Sequence, residues 1–162
     1  MARTTAVLEA YLGISSQSQE EAILHLLIEL GAQFVGAHEG SLLVLDEAKN
    51  DLVFAMTIGN ESSQNELIGQ RVPLGKGITG LAAQMREVQI GAPTFKTRQA
   101  KTRRGAPGEP QAVLAAPMLA SDELMGVLTA ISFEPGKRFT SPDALLYGRL
   151  AAVAGVVVNQ SR

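Results

Sequence analysis

The chain has 162 residues, of which 46% are apolar and none is cysteine, and its formal net charge is −2 at pH 7. This length suits one domain with a complete hydrophobic core. The lack of cysteine excludes disulfides, thiolate metal sites and thiol nucleophiles. The small negative charge argues against a surface that binds nucleic acid.

Residues 1–17 are interpreted as an N-terminal segment that is partly helical or flexible, followed by a single domain at 18–160. Glu9 stands where a secretory signal would be purely apolar, so the sequence predicts a cytoplasmic protein. No apolar run reaches the length of about 18 residues that a membrane helix needs, and no membrane segment is expected.

The first predicted helix covers residues 19–35. Ser18 and Glu21 have the spacing of a capping box, which marks a helix start. Apolar residues follow at helical spacing: Ile23, Leu26, Leu27, Leu30 and Phe34.

Four strands are predicted, at 41–45, 52–58, 112–119 and 124–133, and polar turns join them as two hairpins. Both faces of the second strand are mainly apolar. One face is expected to carry Leu52, Phe54, Met56 and Ile58, and the other Val53, Ala55 and Thr57. This pattern predicts a sheet that is covered on both sides.

Gly75, Gly77 and Gly80 have the spacing G-x-G-x-x-G of a dinucleotide-binding turn. That fold needs a buried strand before the glycines and an acid about 20 residues later. Pro73 interrupts the preceding stretch, and the region near residue 100 is basic. A P-loop is excluded as well, because the residue after Lys76 is glycine and not serine or threonine. The glycines are therefore predicted to turn the chain into a short helix at 79–85.

A flexible basic loop is predicted at about 95–111. Five basic residues between 96 and 104 stand there without an acid, followed by several glycines and prolines.

The last helix is predicted at 142–159, with Ser141 as N-cap, Pro142 at the first helical position and Asp143 in the first turn. It has little polar surface, and such a helix is either buried on two sides or packed against another subunit. The second alternative predicts a dimer through Leu146, Leu150, Val153 and Val157, with Gly148 and Gly155 permitting close approach.

Candidate catalytic groups are few. His25 lies on the first helix, and the neighbours His38 and Glu39 provide too few ligands for a closed zinc site. No catalytic triad, H-E-x-x-H motif or carboxylate pair follows from order and spacing. We therefore expect a protein that is not an enzyme, with no metal and no cofactor.

The stretch VPLGKGITGLAAQMREVQI at 72–90 resembles the glycine turn, short helix and strand of GAF domains. Three further stretches agree in order and separation, at 36–47, 112–132 and 138–158, so the resemblance covers about 18–160. It implies an α+β fold of the GAF and PAS type. In this fold an antiparallel sheet of five or six strands has the terminal helices on one face, and loops and short helices around a pocket on the other.

The resemblance implies a bacterial sensor, either a stand-alone domain or a fragment of a larger receptor. Such a sensor binds a small ligand, forms a homodimer through its terminal helices and signals to a partner such as a kinase or regulator. Members of the family that bind bilins covalently or reduce methionine sulfoxide need cysteine, which this chain lacks. The motif of the cyclic-nucleotide branch is not found either. Gly91-Ala92-Pro93 stands where many relatives have an Asn-Asp pair.

The pocket is expected between the sheet and the loop at 91–111. Its predicted lining is Thr57, Thr79, Phe95, Arg98, Thr129 and Ile131. Arg98 or Lys96, together with amides at the start of the short helix, could hold an anion, and a nucleotide is possible too. The alternative function is a dimeric protein–protein adaptor whose pocket is filled by its own side chains.

Overall fold

The computed structural model describes residues 16–59, 66–91 and 111–160. Its helices are α1 (Ser16–Val35), α2 (Gly77–Met85) and α3 (Ser141–Gln160). Its strands are β1 (Glu39–Asp46), β2 (Asp51–Ile58), β3 (Arg71–Pro73), β4 (Gln89–Gly91), β5 (Ala112–Ala120) and β6 (Glu123–Ser132). The predicted segment 1–17 lies almost wholly outside the described residues.

The strands form one six-stranded sheet in the order β3-β2-β1-β6-β5-β4, and every neighbouring pair is antiparallel. Both predicted hairpins are present, as β1–β2 and β5–β6. β1 and β6 pair in the centre, so residues distant in sequence meet there. The predicted α+β antiparallel fold is confirmed.

The starts of all three helices differ from the prediction, and α2 begins at Gly77 instead of residue 79. α1 already includes Ser16, so Ser18 is not its N-cap. At α3 the cap is Thr140 and not Ser141. The Thr140 amide donates to the Asp143 carboxylate at 2.8 Å, and the Asp143 amide donates to the Thr140 hydroxyl at 3.4 Å. This reciprocal capping box begins the helix one residue before the predicted start.

A bulge in β2 makes part of the predicted facing pattern wrong. Leu42 pairs with Met56 while Leu43 pairs with Phe54, so Ala55 has no partner. Because the extra residue reverses the alternation, Met56 packs against the core under the terminal helices, whereas Phe54 packs on the opposite face. The same reversal places Thr57 opposite Ser41.

Two hydrophobic cores lie on the two faces of the sheet. The core under α1 and α3 includes Ile28, Leu128 and Tyr147, and the core under α2 includes Ala82 and Val127. α3 approaches β5 closely, because a Cβ at Gly155 would lie 2.9 Å from the Leu119 carbonyl oxygen. The close approach expected at Gly155 is therefore made to the sheet of the same chain.

An ion pair connects the β1–β2 turn to β3. The Arg71 guanidinium lies 3.0 Å from the Asp46 carboxylate and 2.6 Å from that of Asp51. The hydrogen bond from Arg71 holds the pKa of the Asp46 carboxyl below its ordinary value. The groups are partly exposed at the surface, so the ion pairs add little to stability.

Among the described helices, α3 is long and apolar enough to cross a membrane by length and composition. A single helix of this kind is weak evidence for a span, because core helices of soluble proteins have the same character.

Candidate functional site

Three hydroxyl-bearing residues lie side by side on the face of the sheet that α2 covers. Ser41 on β1 pairs with Thr57 on β2 and with Thr129 on β6. A Cβ at Gly40 would lie 2.6 Å from the Ile28 side chain of α1, so Gly40 faces the terminal helices and Ser41 faces away from them. Directly paired side chains are about 5 Å apart at Cβ. We call Thr57, Ser41 and Thr129 the hydroxyl strip.

The hydroxyl strip is buried and has unused hydrogen-bonding capacity. Thr57 is 7% exposed, and Ser41 and Thr129 are each 2% exposed. Within the described part of the chain, the Oγ1 atoms of Thr57 and Thr129 have no hydrogen-bond partner. A buried polar group without a partner costs about 1–3 kcal/mol. The strip therefore suits a polar group that would bond to these hydroxyls.

A buried carboxylate lies next to the hydroxyl strip. Glu39 is 4% exposed and precedes Ser41 by two residues on β1, so both side chains are on the same face. Its partner on β6 is Ile131, which in turn pairs with Val113 of β5. A Cβ at Gly59 would lie 2.8 Å from the Glu39 Cγ atom, so the residue after β2 packs closely against the stem of this side chain.

The helix α2 packs against this same face of the sheet, near β4. A Cβ at Gly91 would lie 2.9 Å from the Ile78 side chain, so β4 faces α2 here. Thr79 is buried and shares the sheet-facing side of α2 with Ala82 and Ala83. Thr79 is therefore directed to the same layer as the hydroxyl strip.

The three glycines that precede and begin α2 close a compact turn. Gly75 and Gly77 have positive φ angles of 83° and 65°. The Gly75 amide donates to the Gly80 carbonyl at 2.8 Å, and the Gly80 amide donates to the Lys76 carbonyl at 3.0 Å. Because these two amides are used inside the turn, they are not directed at a ligand. The prediction of a turn into a short helix is confirmed.

Three of the six predicted ligand-binding residues, Thr57, Thr129 and Ile131, lie on one face of the sheet. Thr79 is buried on α2, the helix that covers this face. Phe95 and Arg98 lie outside the described residues, as does most of the predicted loop at 95–111. Sequence reasoning missed Glu39 and Ser41. The sequence feature that indicates them is the spacing of two residues between Glu39, Ser41 and Leu43, which places all three side chains on one face of a strand.

Tyr147 connects the hydroxyl strip to the terminal helices. Its hydroxyl donates to the Thr129 carbonyl at 2.6 Å from the opposite face of the sheet. Complete burial raises the pKa of Tyr147 above its ordinary value, so the hydroxyl remains a donor. A Cβ at Gly31 would lie 2.8 Å from the Tyr147 ring, so α1 also contacts this side chain.

A separate cleft of about 500 Å³ opens beside β4 and the loop that precedes α3. Lys137 and Arg138 line it, together with Phe139 of the core under the terminal helices. The Lys137 Nζ atom lies 5.5 Å from the centre of the Phe139 ring. Phe139 belongs to the core under α1 and α3, whereas Gly91, which also lines the cleft, faces α2, so the cleft lies at the edge of the sheet between its two sides.

The predicted dimer residues occupy mixed positions. Leu146, Leu150 and Val157 pack against the core of their own chain, and Val153 is half exposed. The outward sides of α1 and α3 nevertheless carry large exposed apolar side chains: Ile23, Leu26, Leu30, Phe34, Leu145, Val153 and Val156. Four of these belong to the apolar series from which α1 was predicted.

Neither histidine belongs to a metal cluster in the described part of the chain. The His25 ring lies 3.7 Å from Glu29 on the surface of α1. The His38 Nδ1 atom accepts a hydrogen bond from the Phe133 amide at 3.1 Å. Among the described residues, no group of three or more His, Asp or Glu side chains could hold a metal ion.

A family model described as GAF domain matches residues 17–159. No curated protein sequence matches the chain. The crystal structure of the GAF-B domain of DevS from Mycobacterium smegmatis is similar, with 19% identity, a TM-score of 0.67, and coverage of 88% of this chain and 94% of that one.

Two further similar structures come from other kinds of protein. The GAF domain of a phosphoenolpyruvate-protein phosphotransferase from Coxiella burnetii is 20% identical, with a TM-score of 0.61 and coverage of 91% of this chain and 97% of that one. The free methionine-R-sulfoxide reductase from Neisseria meningitidis, determined in complex with its substrate, is 20% identical, with a TM-score of 0.58 and coverage of 90% and 87%. At these identities the likeness shows the fold alone.

Proposed function

We propose that this chain, which belongs to the GAF domain family, is a sensor that binds a small molecule on the hydroxyl strip. GAF domains are commonly sensory or signalling domains, and the similar reductase from Neisseria meningitidis holds its substrate. The observation that carries the proposal is the pair of buried threonine hydroxyls, Thr57 and Thr129, without partners in the described structure. Short polar groups among apolar walls are characteristic of small-ligand sites.

In this proposal the protein is cytoplasmic, is not an enzyme and has no resident cofactor or metal. Its ligand signal passes to a protein partner such as a kinase or regulator, and not to a nucleic acid or a membrane. The absence of cysteine argues against the sulfoxide-reducing activity, because the members of this family with that activity depend on cysteine.

The contact between Tyr147 and Thr129 supports a route from the ligand to the terminal helices. A ligand that bonds to the Thr129 hydroxyl would shift β6, and the carbonyl of the same residue accepts the bond from α3. Gly31 of α1 packs on Tyr147, so both terminal helices would respond.

Ligand binding is tested by thermal unfolding in the presence of nitrate, nucleotides, amino acids and cyclic nucleotides. A ligand at 100 times its dissociation constant adds about 2.7 kcal/mol to native-state stability, so the Tm of the wild type should rise. The double variant Thr57→Val and Thr129→Val should lose most of that rise. The exposed Ser141→Ala, which removes a hydroxyl outside the strip and is not the cap of α3, is the control and should keep it.

If no compound raises the Tm, and mass spectrometry of the native protein finds no bound small molecule, the sensor proposal fails. The dimeric adaptor is then the better explanation of the chain.

The adaptor role and the dimer are supported by the exposed apolar side chains on α1 and α3. Phe34 is 70% exposed on the outward side of α1, which is unusual for a large aromatic residue unless it contacts a partner. We expect light scattering to find a dimer, and Phe34→Glu to shift the population toward monomers. The neighbouring exposed residue supplies the control Gln33→Glu, which should remain dimeric. A wild-type monomer at high concentration would contradict the proposed interface.

A further inference from the structure

We propose that the cleft of about 500 Å³ beside β4 is a second binding site, which takes a small organic anion: a carboxylate or phosphate group attached to an apolar body. We call it the basic cleft. None of its described lining residues belongs to the hydroxyl strip, so this inference goes beyond the proposed function. It is carried by two neighbouring cations that face an apolar surface without a described carboxylate beside them.

The two cations of the basic cleft lie in the loop between β6 and α3. Lys137 and Arg138 both line the cleft, and its described lining contains no Asp or Glu. Neither cation forms an ion pair with a described residue. Two acids lie near them in the chain: Glu134 is exposed on the same loop, and the Asp143 carboxylate accepts a hydrogen bond from the Thr140 amide. The described structure therefore leaves the positive charge of the cleft without a carboxylate partner.

The Lys137 ammonium is held in place by contacts on two sides. Its Nζ atom lies 5.5 Å from the centre of the Phe139 ring, and a Cβ at Gly36 would lie 3.0 Å from the same atom. Gly36 directly follows α1, and the C-terminal end of a helix carries about half an elementary negative charge. The helix end therefore orients the ammonium but offsets only part of its charge.

Apolar side chains form much of the remaining lining. Ile90, Ala112 and Phe139 line the cleft, and Ile90 is 40% exposed. Small-ligand sites combine apolar walls with a few polar groups, and their volumes are about 300–1,000 Å³. An arginine guanidinium such as that of Arg138 forms paired hydrogen bonds with carboxylate and phosphate oxygens. The composition of the cleft therefore suits a ligand with an anionic head and an apolar body.

The segment of this chain next to the basic cleft has the wrong charge to occupy it. Residues 92–110 connect Gly91 to Gln111, and both of these residues line the cleft. The segment contains five basic residues and one acid, Glu109. Because like charges repel, a separate anion complements the two cations better than this segment does.

The test uses four probes that share one aromatic ring: sodium benzoate, disodium phenyl phosphate, benzyl alcohol and benzylammonium chloride. Binding to the full chain is followed by methyl NMR at Ile90 and Ala112, with Thr57 and Thr129 as reporters of the hydroxyl strip. We expect benzoate and phenyl phosphate to shift the Ile90 and Ala112 resonances, and to bind at least about tenfold more tightly than the alcohol and the amine. The tighter of the two anions identifies the preferred head group.

Arg138→Gln removes one cation from the cleft and keeps a long polar side chain. It should weaken both anions about threefold or more, because the ion pair is at the surface, and leave benzyl alcohol within a factor of about 1.5. Arg149→Gln, at an exposed position of α3, is the control. It lowers the net charge of the chain by the same amount and should leave every affinity unchanged. If the Arg138 variant does not fold, the order of the four probes on the wild type decides the inference by itself.

Three results would overturn the inference. In the first, benzyl alcohol binds at Ile90 and Ala112 as tightly as the two anions, so the cleft does not select for charge. In the second, Arg149→Gln weakens the anions as much as Arg138→Gln, so the charge of the whole chain and not the cleft attracts them. In the third, no probe perturbs the Ile90 and Ala112 methyl groups.

The reporters in the hydroxyl strip separate this inference from the sensor proposal. If the anions shift the Thr57 and Thr129 resonances and not those of the cleft, the inference is wrong while the sensor proposal stands. If the ligand screen finds nothing that binds the strip but the anions bind at the cleft, the sensor proposal fails and the inference stands.

Discussion

Replacing Gly126 with alanine is expected to lower the free energy of unfolding by about 4 kcal/mol or more, the range of the most damaging single substitutions. Gly126 lies in β6, between Val44 of β1 and Met118 of β5. A Cβ at this position would lie 1.9 Å from the Leu43 carbonyl oxygen and 2.8 Å from the end of the Met118 side chain. The methionine can move, but the carbonyl belongs to the central pair of strands. Urea unfolding followed by circular dichroism measures the loss.

Gly91→Ala is the matched control for this prediction. Gly91 is also a strand glycine, and its new Cβ would meet the Ile78 side chain at 2.9 Å. That side chain ends in a flexible methyl group, so we expect a loss of about 1 kcal/mol at most. If the two variants are equally stable, β1 and β6 can move apart at Leu43 and Gly126 at little cost, and the prediction is wrong.

Gly80→Ala is expected to destabilise the protein by about 3 kcal/mol, although alanine is the better helix former by about 1 kcal/mol. The reason is the turn before α2. A Cβ at Gly80 would lie 2.4 Å from the Pro73 carbonyl oxygen and 3.1 Å from the Gly75 amide nitrogen. These backbone atoms cannot withdraw without breaking the bond from the Gly75 amide to the Gly80 carbonyl. Chemical denaturation gives the sign and the size of the change.

Gly148→Ala tests the same substitution inside a helix without a backbone obstacle. Its Cβ would lie 3.2 Å from a methyl group of Val88, which can shift by a few tenths of an ångström. We expect a change within about 1 kcal/mol of the wild type, because helix propensity offsets the contact. If Gly80→Ala instead stabilises the protein, the turn before α2 opens easily. The Gly75 and Gly80 amides would then be available to bind a ligand.

The G-x-G-x-x-G spacing predicts a dinucleotide site only when the strand and the acid of that fold accompany it. The sequence excluded a dinucleotide site because Pro73 and the missing acid do not fit that fold. The structure adds the positive reason for the glycines. Gly75 and Gly77 adopt positive φ angles, and Gly80 permits contact between two backbone segments. The contact at Gly80 is with Pro73 and Gly75, so all three glycines act within the same turn.

The candidate site could be predicted in part from the sequence. Thr129 and Ile131 alternate with apolar neighbours in β6, so their common face follows from the period of two. Thr57 was assigned to the face opposite Phe54, Met56 and Ile58, and the bulge at Ala55 changes that relation. A bulge depends on the pairing with β1, which no local pattern specifies. Glu39 and Ser41 share a face of β1 by the period of two, but their position next to Thr57 and Thr129 depends on the pairing of β1 with β2 and β6.

By itself the sequence determined the two hairpins, the turn into α2, the approximate extents of the helices and, through four stretches in order, the resemblance to GAF domains. These depend on contacts between residues that are near one another in the chain. Tertiary structure alone decided the strand order, the gathering of the hydroxyl strip beside Glu39, and which apolar residues of α1 face outward. Ile28 and Phe34 both fit an apolar helix pattern, yet only packing against the sheet decides that the first is buried and the second exposed.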